Sequence, residues 1–283
     1  MINGSCYCGT VRYEVSGPFI DMVNCHCSMC RKHHGSPFAT YVSAPADNFR
    51  WVSGADDLIC YKSSEQGTRD SCKVCGSAVP IMMPPHGLAV LPAGPLEGNL
   101  GITPQAHIFV GSKAPWHTIT DTLPQHEEYP PEYAMSGLER PRLQVRPGIT
   151  EGSCLCGNVA YEVRGAPIVM QSCHCQRCRR SKGAAYATNI FYKASQFQWT
   201  RGEELMVQYK LPVAKFSTSS FCRQCGAVMP RVSQERDIAV IAAGSLDTDP
   251  PLRSQRHIFT SYKASWFEIT DAAPQFPEAP PPP

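Results

Sequence analysis

Hydrophobic and polar positions alternate in short runs along this chain. Thr10-Val11-Arg12-Tyr13-Glu14-Val15 and His107-Ile108-Phe109-Val110 show the two-residue period of half-buried strands. Pro and Gly interrupt the pattern at short intervals, and no stretch keeps a 3.6-residue period over several turns. The pattern predicts a mainly β chain with few short helices. The best helical candidate is one turn within residues 27–34.

The pattern occurs twice. Gly4-Ser5-Cys6-Tyr7-Cys8-Gly9 returns as Gly152-Ser153-Cys154-Leu155-Cys156-Gly157, and Cys25-His26-Cys27-Ser28-Met29-Cys30-Arg31 as Cys173-His174-Cys175-Gln176-Arg177-Cys178-Arg179. Phe49-Arg50-Trp51 matches Phe197-Gln198-Trp199 at the same spacing. Cys72-Lys73-Val74-Cys75-Gly76 then matches Cys222-Arg223-Gln224-Cys225-Gly226 with two residues gained, most simply in a loop between Trp199 and Cys222. His107-Ile108-Phe109 recurs as His257-Ile258-Phe259, Lys113 as Lys263 and Trp116 as Trp266. A repeat this long is a domain duplication rather than a solenoid. The expected organisation is a first domain over residues 1–126, a Pro-rich linker over 127–149, a second domain over 150–276 and a Pro-rich, extended tail over 277–283.

The chain has 283 residues and a net charge of +2, with Lys and Arg scattered rather than clustered, so no basic stripe points to nucleic acid or an anionic membrane. No basic segment followed by an apolar run opens the chain, and no run of 18 apolar residues occurs. The expectation is a soluble, cytoplasmic protein. Thiols stay reduced in that compartment, so 15 cysteines need a role other than disulfides, and metal ligation is the usual one.

The cysteine spacing specifies that role. Residues i and i+2 of a strand share a face, so Cys6 and Cys8 can bind one ion. Cys72-x-x-Cys75-Gly76 is a knuckle that presents two more thiolates, with a glycine suited to the tight turn. Four thiolates make a closed tetrahedral site of structural type, repeated as Cys154, Cys156, Cys222 and Cys225. Cys25, Cys27 and Cys30 remain, as do Cys173, Cys175 and Cys178. Three protein ligands leave a fourth position for water or substrate, the arrangement of catalytic zinc. Soft thiolates favour Zn2+, up to two per domain and four per chain.

A nearby histidine closing the triad would make it inert. His26 and His174 lie between ligands and point to the opposite face. His33 could fold back, but its counterpart is Ser181, so the spacing favours an open site. Arg31, Lys32, Arg179 and Arg180 could offset thiolate charge, attract an anionic substrate, or simply be solvated. His107, His257, Lys113, Lys263, Trp116 and Trp266 read as core more readily than as pocket. Cys60 aligns with Gln208, belongs to no cluster, and reads as a buried free thiol.

Gly-Ser-Cys-x-Cys-Gly, Cys-His-Cys-x-x-Cys-Arg, Cys-x-x-Cys-Gly and His-Ile-Phe-x-x-x-Lys-Ala-x-Trp together resemble the glutathione-dependent formaldehyde-activating family, which also includes centromere protein V. The resemblance spans both halves. It implies a β-tent fold of small antiparallel sheets around a structural four-cysteine zinc and a nearby three-cysteine zinc. It also implies condensation of glutathione with formaldehyde to S-(hydroxymethyl)glutathione, a carbon–sulfur lyase activity with a small thiol and an aldehyde as partners. On that resemblance the catalytic-type ligands are Cys25, Cys27, Cys30, Cys173, Cys175 and Cys178. Two other readings stay open: another electrophilic carbonyl, imine or thiol conjugate at the same metal, and a non-enzymatic zinc module that binds protein. This chain departs from the single-domain pattern as a tandem fusion, with Arg-Arg-Ser-Lys-Gly in the second half where the first has Arg-Lys-His-His-Gly. The two pockets therefore need not share a substrate, and one can be silent.

Overall fold

Tyr13 and Val15 turn fully inward from a strand whose Arg12 is exposed, as the alternation requires. The computed structural model describes residues 1–65, 67–130, 146–214 and 217–281. The expected linker therefore lies mostly outside the described residues, and so does the end of the tail. In the first half, β1 (Ile2–Ser5), β2 (Arg12–Val15), β3 (Asp21–Cys25) and α1 (Ser28–His34) come first. They are followed by β4 (Ala39–Pro45), β5 (Phe49–Ser53), β6 (Leu58–Lys62), β7 (Thr68–Cys72), β8 (Ile81–Met83), β9 (Leu88–Pro92) and β10 (Ala106–Ile108). The second half opens with β11 (Ile149–Ser153), β12 (Ala160–Arg164), β13 (Val169–Cys173) and α2 (Gln176–Lys182). It continues through β14 (Ala187–Tyr192), β15 (Phe197–Arg201), β16 (Met206–Lys210), β17 (Thr218–Cys222), β18 (Arg231–Ser233), β19 (Ile238–Ala242) and β20 (His257–Ile258).

Each half contains a three-stranded sheet, a five-stranded sheet and a two-stranded hairpin, in the same order. The five-stranded sheet runs β10-β3-β4-β9-β8, antiparallel except for β10, which lies parallel to β3. Its centre, β4, is buried through its first six residues, as expected of a strand covered on both faces. The two extra residues of the second half fall in the β16–β17 turn, which replaces the shorter β6–β7 turn. The expected helix is a seven-residue α-helix in each half. It starts where the Cys30 N–H donates to Cys27 Sγ at 3.3 Å, and stops at Gly35. Among the described residues no helix is long and apolar enough to cross a membrane. At the far end, the Phe259 N–H donates to the Glu278 carbonyl at 3.1 Å, so the first residues of the Pro-rich tail join the fold.

The halves exchange part of their cores. Trp266 and Ala264 are buried in the cluster built around Tyr13, Met22 and Leu91 of the first half. Trp116 and Ala114 are buried in the cluster of Tyr161, Met170 and Ile241 of the second. Both tryptophans are core, as expected, but each fills the core of the other half. Tyr61 on the β6–β7 hairpin and Tyr209 on β16–β17 cross in the same way. Of the cations after the triads, Lys32, Arg179 and Arg180 make contacts across the boundary between the halves, and Arg179 and Arg180 also line a cavity of about 140 Å³ with Lys263. Lys32 Nζ meets Asp247 at 2.6 Å, and its repeat equivalent Arg180 pairs with Glu97, the equivalent of Asp247. Arg179 Nη1 donates to the Gly94 carbonyl at 3.2 Å across the same boundary. The pairs repeat because the halves are related by an approximate twofold, which also brings Thr120 and Thr270 together. Cys60 corrects its expectation: it is exposed on β6, because its neighbours Ile59 and Tyr61 take the inward contacts of this two-stranded hairpin.

Trp266→Ala is expected to lower the stability of the whole chain by about 3–5 kcal/mol, the range for deleting a buried large aromatic. Thermal unfolding checks this as a single lowered transition. Cleavage between residues 131 and 145 is expected to leave both fragments in one particle on size exclusion, since described core residues interlock on either side.

Candidate metal centres

Four groups of sulfurs converge. Cys6, Cys8, Cys72 and Cys75 form one and Cys154, Cys156, Cys222 and Cys225 its repeat; in each group all Sγ atoms lie within 4.8 Å of one another. Cys25, Cys27 and Cys30, and Cys173, Cys175 and Cys178, converge equally closely. None of the 15 cysteines is in a disulfide. The predicted partition of the clusters is thus the spatial one.

The four-cysteine groups arise where the β1–β2 turn meets the knuckle after β7. Cys6 Sγ stands 3.4 Å from Cys8 Sγ, and Cys8 Sγ 3.7 Å from Cys72 Sγ. The second half repeats these at 3.3 and 3.9 Å. Bonds of about 2.3 Å to a tetrahedral ion place sulfurs about 3.8 Å apart, so this donor set fits zinc. The Val11 N–H donates to Cys6 Sγ at 3.3 Å and the Val159 N–H to Cys154 Sγ at 3.2 Å, which favours thiolates. Gly76 and Gly226 turn each knuckle at φ +69° and +68°. They carry a second constraint the spacing did not reveal. A Cβ on Gly76 would stand 2.3 Å from the Phe221 ring, and one on Gly226 2.1 Å from Ser71 Oγ. Each knuckle therefore lies against the hairpin of the other half.

Packed sulfurs cannot all ionise without a cation. Hydrogen bonds from Cys6 and Cys72 pull Cys8 well below the usual thiol range, while hydrogen bonding to Cys6 and Cys72 pushes Cys75 far up. In the second triad, hydrogen bonds from Cys173 and Cys178 lower Cys175 to about 3, and Cys178 is pushed up by its bonds to Cys173 and Cys175. Such clusters hold thiolate character that a soft divalent ion would complete.

No histidine joins the triads. His26 faces away from the sulfurs, its Nε2 2.8 Å from His107 Nδ1, and His107 Nε2 reaches both Asp121 oxygens at 3.0 Å. His174, His257 and Asp271 repeat this chain at 2.8, 3.1 and 3.0 Å. Burial drives His174 down to about 3 and His26 well below its ordinary value, so both stay neutral. The chain braces the cysteine strand from behind. Sequence reasoning missed Asp121 and Asp271, although Ile119-Thr120-Asp121 and Ile269-Thr270-Asp271 recur in register. His33 does not fold back to the metal ligands; its Nε2 pairs with Ser71 Oγ at 2.7 Å. The triads also gather groups that no motif announced. Arg69 Nη2 donates toward Cys30 Sγ at 3.6 Å in the first half, and Arg231 carries the charge near Cys178 in the second.

Cys72→Ala is expected to yield insoluble or metal-poor protein, while Cys27→Ala stays folded and loses at most one metal ion per chain. Elemental analysis alongside thermal unfolding separates the two outcomes. Gly226→Ala is expected to cost at least the roughly 1–2 kcal/mol of a left-handed non-glycine residue, with its clash added, and lowers the unfolding midpoint.

Comparison with known proteins agrees with this geometry. The family described as glutathione-dependent formaldehyde-activating enzyme matches residues 1–112 and again 149–262. A Halomonas elongata protein named "Putative glutathione-dependent formaldehyde-activating enzyme" is 32% identical over 128 residues, which span 42% of this chain and 81% of that protein. The crystal structure of a Rhodobacter sphaeroides protein is 28% identical and covers 36% of this chain and 97% of its own, at a TM-score of 0.30 that carries no weight for the fold. With both halves matched, the chain belongs to the glutathione-dependent formaldehyde-activating family, with its domain present twice.

Proposed function

We propose that this protein is a zinc-dependent enzyme of carbon–sulfur lyase type. It would join a glutathione-like thiol to formaldehyde or a related aldehyde, or release the aldehyde from the adduct. The observation that carries the reading is the three-cysteine cluster. Three sulfurs converge, and among the described residues no fourth His, Cys, Asp or Glu joins them. The four-cysteine clusters read as the structural zinc sites, and the triads as the reactive ones.

A zinc ion held by three thiolates would keep the substrate thiol deprotonated at its fourth position. The chain's own residues bind and orient. The Asp–His–His chain holds His26 between Cys25 and Cys27, and His174 between Cys173 and Cys175, from the side away from the sulfurs. The first turn of the helix holds the middle sulfur, with the Cys178 N–H donating to Cys175 Sγ at 3.4 Å. In the addition, the sulfur lone pair forms the C–S bond and the carbonyl π pair moves to oxygen. The proton given up by the thiol ends on that oxygen, so nothing is oxidised or reduced. Holding both reactants together can remove up to about 7–11 kcal/mol from the barrier.

Exchange NMR of glutathione with formaldehyde tests this. Metal-loaded protein is expected to accelerate S-(hydroxymethyl)glutathione formation over the uncatalysed exchange, and a Cys27→Ala, Cys175→Ala double variant to lose the acceleration. A fully loaded protein that leaves the rate unchanged would turn the assignment to another electrophile or to protein binding.

A further inference from the structure

The two triads share a backbone but not their walls. Cys25, Cys27 and Cys30 are only 5%, 2% and 2% exposed. Tyr41 Oη stands 3.8 Å from Cys30 Sγ, held by a 2.8 Å hydrogen bond with His34 Nε2. Arg69 approaches the same sulfur from β7. Tyr129, beyond β10 in the chain, packs edge-on to Phe109 at 4.6 Å and belongs to the apolar cluster around these sulfurs.

None of these walls survives in the second half. The repeat places Asn189 at the position of Tyr41, Lys182 at His34, Ser219 at Arg69 and the exposed Ala279 at Tyr129. Cys175 and Cys178 are accordingly half-buried. Cys178 opens on a cavity of about 60 Å³ lined by Tyr7, Arg177, Lys182, Ser217 and Arg231. Tyr7 comes from the other half, between two sulfurs of its four-cysteine cluster, and its hydroxyl lies 2.6 Å from Ser217 Oγ. At the repeat-related positions stand Leu155 and Gly67, which supply neither hydroxyl. The polar mouth at the second triad is therefore written into the sequence of both halves and is absent from the first.

We propose that the triads have divided their roles. Cys173, Cys175 and Cys178 form the centre open to an exogenous thiol, through a cavity that the first half completes with Tyr7. Cys25, Cys27 and Cys30 hold metal behind Tyr41 and Tyr129 and admit no substrate. The three cations of the open mouth suit a thiol that carries negative charge. This division rests on the thiol chemistry proposed above.

Cobalt substitution reads the division without catalysis, because a thiolate entering the cobalt coordination sphere alters its sulfur charge-transfer and visible bands. Glutathione titrated into the cobalt-loaded full chain is expected to saturate at one equivalent. Cys27→Ala is expected to keep the response and Cys175→Ala to lose it, with cobalt content measured in each. Tyr7→Phe is expected to raise the half-saturating glutathione concentration about three- to tenfold, the loss of one hydrogen bond, at unchanged cobalt content; an unchanged value would remove Tyr7 from the site. Two equivalents bound by the parent protein, or a response that persists in Cys175→Ala, would overturn the division and leave the thiol reading standing. A parent protein with no response to glutathione would overturn both.

Discussion

Neither half of this chain contains its whole core. Trp116 and Trp266 each leave the half that encodes them and fill the other, and most of the remaining architecture follows from that exchange. A buried tryptophan is among the largest single apolar contributions a small domain can receive. The segment that carries it must therefore stay docked, and docking brings Thr120 against Thr270 and sets Lys32 on Asp247. The hairpins cross for the same reason, pressing each cysteine knuckle onto the neighbouring half at distances that only glycine permits.

This interlocking turns two repeated cysteine patterns into one connected set of sites. The four-cysteine cluster of the first half lies beside Tyr209 of the second, and the residue between two of its sulfurs, Tyr7, reaches the cavity of the second triad. The turn that carries one cluster in the first half thus also lines the cavity beside Cys178 in the second. Behind each triad the Asp–His–His chain links His26 to Asp121 and His174 to Asp271 through buried hydrogen bonds, on the side away from the sulfurs. Access to each sulfur triad is then set by whatever wall the neighbouring elements build. Duplication within one chain lets those walls differ, because a substitution in one half no longer appears in both.

Much of this was legible in the sequence because cysteine spacing has a direct geometric meaning. Cysteines two apart, or three apart across a knuckle or a helical turn, can turn their sulfurs to one point, although in the structure Cys6 and Cys8 do so from the β1–β2 turn and not from a strand. The duplication, the strand content and the short helix after Cys27 are equally local, carried by period and by register between the halves. Cys60 failed the same style of reading, because a hairpin of two strands buries one face only and nothing in its immediate sequence says which.

What the sequence by itself determined is the set of cysteines that converge, their partition into four-cysteine and three-cysteine clusters, and the family to which the domain belongs. Only the tertiary structure decided which half each tryptophan stabilises, that Lys32 and Arg180 are interface charges, and that the first triad is walled in while the second opens on a cavity. The physical reason is range. Each cysteine pair or triplet is set within a few residues of backbone, whereas burial, access and the contacts between halves depend on surfaces brought together from distant parts of the chain, and no local pattern encodes which of them will meet.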